Sequence, residues 1–388
     1  MALKKKKKTS TFFFKKLLIV PLLFVNCISA VGLLLAFFAQ HLPPNWFSYS
    51  AFCGLGFIYI LAINALFVIL WVPIKYQYAL ISLSLILLNV GNIDKHFQLK
   101  GAEKPPKCVN CIKVMSYNVK LFGLYDTENK NIRQQNKNKI LQFINEEQPD
   151  IVCFQEYFFD KSGKLNFSTT DTLLSILKLK KNNYHFEYFT ANRDELYFGF
   201  ATFSKNKIIE KGVVQMPDSS VIATYIDFKQ KSDTIRVYNC HLASIHFENE
   251  HYEIGKQLKM NTMNDPKWKK KAKILYEKLE DAFKVRTKQA KVLKKHLNNC
   301  PHFTILCGDL NDSPASFAYN KIAGNLKDTF RESGTGMGET FLGETFPKFR
   351  IDYILHDKVY KSYGHTVYTN LSISDHYPVY AWISLYRN

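Results

Sequence analysis

The sequence predicts an α/β domain over residues 112–388, preceded by an apolar helical region over residues 1–92. Two observations carry this. From Ile112 onward, short apolar runs of strand length alternate with stretches of helical length, which is the texture of an α/β fold. Before that point, Leu17–Gln40 and Phe47–Pro73 carry no charged residue, and a membrane span needs roughly 20 apolar residues. A chain of 388 residues accommodates one large domain with an accessory region.

The N-terminal region comes first. Lys4–Lys8 form a basic run, joined by Lys15 and Lys16. The break "HLPPNW" separates the first apolar run from the second, and "IKYQ" separates the second from a third, shorter run, Tyr78–Asn92. The first run alone has the make-up of a signal peptide, but a second long run follows at once and no small-x-small cleavage site stands out. Two to three helices therefore anchor the chain in a membrane. The positive-inside rule puts Lys4–Lys16 in the cytoplasm. Three spans would place everything after Asn92 outside it, and two would keep it inside. The single Lys75 between the second and third runs fits a short cytoplasmic loop, which favours three.

The net charge of +19 divides unevenly. Residues 1–111 hold 12 Lys, no Arg and two acids, Asp94 and Glu103, so more than half of the excess lies in the first segment. A membrane surface explains it there better than nucleic acid does. Residues 93–111 are polar, contain Pro105-Pro106, and read as a linker. Cys108 and Cys111 in this linker form one C-x-x-C. A zinc site needs four ligands and no second pair is present, so a local disulfide outside the cytoplasm or two idle thiols are the readings. Cys153, Cys240 and Cys307 lie within apolar strand-like runs and read as buried thiols.

In the domain, strands are expected near 112–118, 150–155, 185–190, 198–204, 220–228, 234–241, 303–308, 350–355, 364–369 and 378–385. Helices are expected near 130–147, 171–181 and 266–297. Several strands end at residues of metal-ligand or acid–base type. "KVMSYNV" ends near Asn118, "PDIVCFQE" at Glu156, "IRVYNCHL" near His241, and "FTILCGDLN" at Asp309 and Asn311. "RIDYIL" holds Asp352, and "SISDHYPVYAWI" places Asp375 and His376 before the last strand. One such ending is ordinary turn chemistry, since Asp and Asn serve turns. Six are not, because Gly, Asn or Pro end a strand without any acid or His.

In this order, "MSYNV", "FQE", "GFATFSK", "NCHL", "GDLND", "RIDYIL" and "SDHYPV" resemble the endonuclease/exonuclease/phosphatase superfamily. That group includes DNase I-like nucleases, AP endonucleases, neutral sphingomyelinases and inositol polyphosphate 5-phosphatases. The resemblance covers nearly all of 112–388 and none of 1–111. It implies a four-layer α-β-β-α sandwich of the DNase I-like kind, with the active site at one edge. It also implies hydrolysis of a phosphate ester with a divalent metal, usually magnesium, with manganese able to stand in.

The resemblance assigns roles residue by residue. Glu156 is the principal metal ligand, with Asn118 a neutral oxygen ligand beside it; a hard cation takes such oxygens. Asp309 is the general base for an attacking water. Asn311, two residues on and on the same strand face, orients that water without adding negative charge. Asp352 and His376 form a dyad in which the acid favours the imidazolium, which stabilises charge developing on the phosphoryl group. Asp375 contacts the metal directly or through water. His241 matches a second His of the DNase I-like and sphingomyelinase-like branches, and it lowers the abasic-site reading. Arg286 and Gln289 match a mainly structural helix. Asp312 belongs to the turn that follows, and the others each have a plain alternative: Asn118 as a turn residue, Glu156 as a solvated strand end, His241 as a satisfied strand-end His, Asp352–His376 as a core hydrogen bond.

The substrate is left open between nucleic acid and a phospholipid headgroup. The insertion over 245–285 is rich in Lys with Phe247, Tyr252 and Trp268 interleaved. It suits nucleic-acid phosphates, anionic lipid, or simply a solvated helix face. A phosphodiesterase or nuclease is the first reading, a lipid or inositol-phosphate phosphatase or phospholipase at the membrane the second. A catalytically dead binding domain is disfavoured because every expected catalytic position is filled.

Overall fold

The structure is a computed structural model that describes residues 2–99, 101, 110–191, 195–245, 266–342 and 348–386. It divides into two compact units. One holds residues through Asp94 together with Ala315–Phe317, the other Lys95–Pro314 and Ala318–Asn388.

The first unit is helical: α1 (Ala2–Ala39), α2 (Ser48–Leu55), α3 (Phe57–Leu88) and α4 (Val90–His96). Ile19–Ala39 and Phe57–Leu88 are long and apolar enough to cross a membrane. The second of these is not one straight rod. Lys75, just after Pro73, leaves the helical region (φ −162°, ψ 84°). Ser82 Oγ then donates to Asn64 Oδ1 at 2.9 Å. In a straight helix, 18 residues would separate these groups by about 27 Å. The chain therefore folds back at Lys75 into a helical hairpin, and the Trp71 and Tyr78 rings meet at 5.1 Å. The polar break at "IKYQ" is thus a real reversal, followed by a third helical leg.

Inside this unit runs a buried polar chain. Asn26 Nδ2 donates to Ser82 Oγ at 2.6 Å, Trp71 Nε1 donates to Asn26 Oδ1 at 2.8 Å, and Asn64 Nδ2 donates to the Ser29 carbonyl at 3.0 Å. Asn26, Asn64, Trp71 and Ser82 are fully buried. Outward the unit presents Phe24, Ile28, Leu66, Ile69, Leu80 and Leu87, all exposed. The buried polar groups of this unit thus satisfy one another, while apolar side chains face outward.

The second unit has two six-stranded sheets. The first runs in the order β11-β12-β1-β2-β4-β3, where β1 is Cys111–Asn118, β2 Ile151–Asp160, β3 Tyr184–Ala191, β4 Leu196–Ser204, β11 Lys361–Val367 and β12 Val379–Ser384. The second runs β5-β6-β7-β8-β10-β9, with β5 Ile208–Gln215, β6 Val221–Gln230, β7 Asp233–His241, β8 Phe303–Asp309, β9 Lys327–Asp328 and β10 Asp352–His356. The helices are α5 (Lys130–Glu147), α6 (Thr169–Ile176), α7 (Pro266–Asn298), α8 (Phe317–Ala323) and α9 (Thr329–Ser333).

Both sheets are mixed. In the first, β1 and β2 are parallel while β12 and β4 flank them antiparallel; in the second, β7 and β8 are parallel and β10 pairs antiparallel. The sheets face each other across one core, with Val114, Ile151 and Cys153 meeting Ile226, Val237, Ile305 and Cys307. Strands buried on both faces read as continuous apolar runs, which is why they were legible. Ile140, Phe143 and Ile144 of α5 and Leu173 of α6 cover the outside of the first sheet. Ala290 and Leu293 of α7 and Ile322 of α8 cover the second. The four-layer DNase I-like architecture follows.

Local chemistry sets the ends. Asn129 caps α5 by accepting from Asn131 N at 2.9 Å, and Gln148 ends it in the left-handed region (φ 46°). The thiols of Cys153, Cys240 and Cys307 are buried. Cys111 is disulfide-bonded; Cys108 lies outside the described residues, as do residues 246–265 of the 245–285 insertion, whose later part begins α7.

Candidate active site

The site lies where parallel strands end, the usual place for chemistry in α/β sheets. β1 delivers Asn118, β7 delivers His241, and β8 delivers Asp309 directly beside His241 in the ladder. On the other side of β8, Asp352 at the start of β10 pairs with Asp309. Asp375 and His376 arrive on the segment before β12.

Glu156 is placed differently from expectation. It does not close its strand, which continues to Asp160. It sits in a bulge, where the β2–β4 register shifts between Phe154 and Tyr157, and its backbone is left-handed (φ 50°). A bulge re-aims a side chain, and a left-handed conformation at a non-glycine residue stores strain that surrounding packing must hold. Phe154 and Gln155 before it and Tyr157 and Phe158 after it are all fully buried. Asn311 also differs. β8 stops at Asp309 and Asn311 is left-handed (φ 52°), so strand alternation does not place it. Its side chain still turns back to the site: Nδ2 lies 3.3 Å from Asp309 Oδ2 and donates to the Leu242 carbonyl at 3.0 Å.

One oxygen, Asp309 Oδ2, is the centre of the arrangement. Asn118 Nδ2 lies 3.2 Å away, His241 Nε2 3.6 Å and His376 Nε2 3.6 Å. The other oxygen, Oδ1, accepts from the Asn311 backbone N–H at 2.7 Å. Glu156 Oε1 is 3.1 Å from Asn118 Nδ2 and 3.9 Å from His241 Nε2. His376 Nδ1 is 2.9 Å from Asp352 Oδ2. All eight predicted positions thus gather at one edge, with Asp375 at the rim, its Oδ2 3.8 Å from Lys120 Nζ.

Electrostatics sort the acids and bases. Burial pushes the Asp309 carboxyl up to about 6, with Asp352 adding to the rise and His376 and His241 opposing it. Burial alone would depress His376, but Asp352 and then Asp309 override it and raise the imidazolium to about 10. Asp309 is therefore a carboxylate poised near neutrality beside a cation.

A divalent ion fits one part of the site better than another. Asp309, Asp352 and His376 bring ligand atoms within 4.8 Å of one another. By distance alone they would hold an ion. His376, however, is bonded to Asp352 and favours its protonated form, and an imidazolium has no lone pair for a metal. Glu156 is the better candidate: its carboxylate is partly exposed (35%) and aimed into the site by the bulge. Asn118 and Asp375 are the further oxygen donors that the sequence leads one to expect beside it. As placed, Asn118 Oδ1 accepts from the Lys120 N–H at 3.1 Å, so the amide faces the carboxylates with its nitrogen.

Sequence reasoning passed over the residues beneath the site. Gln155 and Asn239, both fully buried, join the two sheets through Gln155 Nε2 donating to Asn239 Oδ1 at 2.7 Å. Asn239 Nδ2 lies within 3.2 Å of the Phe154 and Ala201 carbonyls and Thr202 Oγ1. This clasp stands one residue before Glu156 and two before His241, so it fixes the spacing between the two halves of the site. Ser374 ties the His376 segment to β1, donating to the Asn118 carbonyl at 2.7 Å and accepting from the His376 N–H at 3.1 Å. Their signal was present in "FQE", "NCHL" and "SDHYPV", one or two positions away from the residues singled out. Arg286 and Gln289 are structural, as expected: Arg286 Nε donates to Asp312 at 3.2 Å, and Gln289 accepts from the Ala243 N–H at 2.8 Å.

Known proteins resemble this chain in family and in fold. The profile of the endonuclease/exonuclease/phosphatase family matches residues 115–376, and that of a domain of unknown function (DUF8431) matches residues 15–96. The chain is similar to a family protein from Leptotrichia buccalis C-1013-b, at 20% identity over 70% of this chain and 98% of that one (TM-score 0.47). It is similar to another from Bacteroides vulgatus, at 17% identity over 71% and 99% (TM-score 0.49). It is also similar to the human Nocturnin catalytic domain with bound sulfate anion, at 19% identity over 72% and 95% (TM-score 0.47). No curated protein matches the chain. A profile match that runs from within β1 to His376, laid on two mixed sheets flanked by helices, settles the kinship: the chain belongs to the endonuclease/exonuclease/phosphatase family of phosphate-ester hydrolases.

Proposed function

We propose that the chain is a membrane-anchored, magnesium-dependent phosphodiesterase in which Asp309 removes a proton from the attacking water. The observation that carries this is the surround of Asp309 Oδ2, where one buried carboxylate oxygen faces Asn118, His241, Asn311 and His376 within 3.6 Å. A carboxyl held at about 6 is ionised at neutral pH and basic enough to accept a proton. Asn311 orients the water. His376, kept cationic by Asp352, and His241 from the opposite side donate to the phosphoryl oxygens as charge builds on them. Glu156, with Asn118 and with Asp375 directly or through water, would hold the ion, which would supply Lewis-acid polarisation of a phosphoryl oxygen.

The anchor reading is that the hairpin at Lys75 makes three crossings and leaves the catalytic unit outside the cytoplasm. Two features support it: the basic N-terminal segment and the disulfide at Cys111, a bond that persists in oxidising compartments. A reporter fused after Asn388 tests the side.

The full chain in detergent should hydrolyse bis-p-nitrophenyl phosphate with magnesium. Asp309→Asn should lower kcat by about 10²–10⁴. Full activity in EDTA, or an unimpaired Asp309→Asn variant, would sink the mechanism. A panel of DNA, RNA, sphingomyelin and phosphoinositides then separates the nuclease reading from the phospholipase one.

A further inference from the structure

We infer that Lys120 is a resident cation of the site: its ammonium holds the Asp375 side, so the chain takes one divalent ion, on the Glu156 side. This rests on the metal-dependent reading above and specifies how many ions that site accepts.

The backbone goes to unusual lengths to put Lys120 there. Lys120, Leu121, Phe122 and Gly123 are all left-handed, with φ of 44°, 52°, 60° and 68°. Only the last is a glycine, and residues with a Cβ rarely adopt this region even singly. The turn is held from both ends. Phe122 is fully buried, its ring 5.5 Å from Tyr157 and 6.4 Å from Phe167, and its N–H donates to the Val119 carbonyl at 2.7 Å. The Lys120 N–H is bonded to the Asn118 side chain, as above. The result returns the Lys120 side chain toward the rim, where Nζ lies 3.1 Å from Asp126 Oδ1 and 3.8 Å from Asp375 Oδ2.

The acids of the rim are therefore divided. Asp375 and Asp126 share an ammonium. Glu156, by contrast, faces the Asn118 amide and, at 3.9 Å, His241. A second divalent ion on Asp375 would have to displace the ammonium or sit against it; with Lys120 40% and Asp375 27% exposed, solvent screens that repulsion in part, and the ammonium still occupies the place of the ion. A lysine fixed in place thus does for Asp375 what a second metal would otherwise do, without needing to be recruited from solution. Asp375 becomes the partner of Lys120 and reaches the Glu156-bound ion at most through water.

The test is manganese titration of the full chain in detergent, read by calorimetry and by the paramagnetic signal of bound ion. Glu156→Gln defines binding elsewhere on the protein. Wild type should take one ion that Glu156→Gln loses. Lys120→Met should take a second ion, or bind the first at least tenfold tighter. Lys120→Arg should keep one ion at the wild-type affinity, with unchanged circular dichroism showing that the turn survives in both variants. Two ions on wild type, or a folded Lys120→Met with wild-type stoichiometry and affinity, would overturn the inference. No ion on wild type at all would overturn the metal-dependent reading and this inference together. One ion on wild type, with no effect at Lys120, would overturn this inference alone.

Discussion

Glu332 offers a way to test the electrostatics at a distance from the site. Its carboxylate accepts from Ser362 N at 2.9 Å and Ser362 Oγ at 2.7 Å, with His356 Nε2 and Lys327 Nζ each 3.0 Å away. Burial alone would raise this acid, but these partners, His356 first, hold it at about 2 against an ordinary value of 4.5. At about 1.4 kcal/mol per pKa unit, such a depression corresponds to roughly 3 kcal/mol. The side chain is 21% exposed, and solvent screening reduces this to on the order of 2 kcal/mol. The sign follows from proton binding. The unfolded chain binds the proton at higher pH than the folded one, so this stability is complete above about 4.5 and drains away as pH falls toward 2. Glu332→Gln should therefore cost on the order of 2 kcal/mol at pH 7 and show a flatter loss of stability between pH 5 and 2.5. The assay is pulse proteolysis of the full chain in detergent across a urea series, following the catalytic unit. Equal pH slopes for wild type and variant, or a loss under about 0.5 kcal/mol at pH 7, would refute the reasoning.

Other outcomes are expected elsewhere. Asp328→Asn removes the partner that lies 2.9 Å from the buried Arg350 Nη1 and should cost about 3–5 kcal/mol in the same assay, because it strands a buried charge. A cost below about 1 kcal/mol would show that the guanidinium has another sufficient acceptor. Asn239→Leu should weaken manganese binding and lower kcat more than KM rises, with Asn239→Asp recovering part of both; a change confined to melting temperature would make the clasp merely structural. Alkylation of Cys111 in intact membranes should require prior reduction, and labelling without reductant would contradict the disulfide.

How much of this was legible depends on the kind of signal. Asn118, His241 and Asp309 stand at the ends of strands buried on both faces, and a run of apolar residues announces both the strand and its end. The bulge at Glu156 has no such signature, since one extra residue in a ladder is set by the register with β4 and not by anything in "FQEYFF". β5 was missed because "IIEKGVVQ" is half-exposed and carries Glu210 and Lys211 in its middle, as a strand at the sheet's edge can. β9, with two residues, and α8 and α9, with seven and five, are too short to show a period. The left-handed turn at Lys120–Gly123 escaped for a different reason: "KLFG" has one glycine where four positive φ angles occur, so packing of Phe122 and not local preference decides it.

The hairpin at Lys75 has a consequence for how the chain is made. Its second leg, Tyr76–Leu88, has about 13 residues and spans about 20 Å, less than the roughly 30 Å of a hydrocarbon layer. Length alone would not keep it there. Ser82 on that leg finds Asn26 on α1 and Asn64 on the first leg, so the polar group that makes the leg a poor independent span is the one that fastens it once the others are in place. Insertion in a bilayer would then be ordered: α1 and the first leg enter on their own apolar length, and the second leg follows as a dependent. On the three-crossing reading proposed above, replacing Asn26 would be felt less as lost adhesion than as a leg that never commits, and the domain that follows it would then stay on the other side.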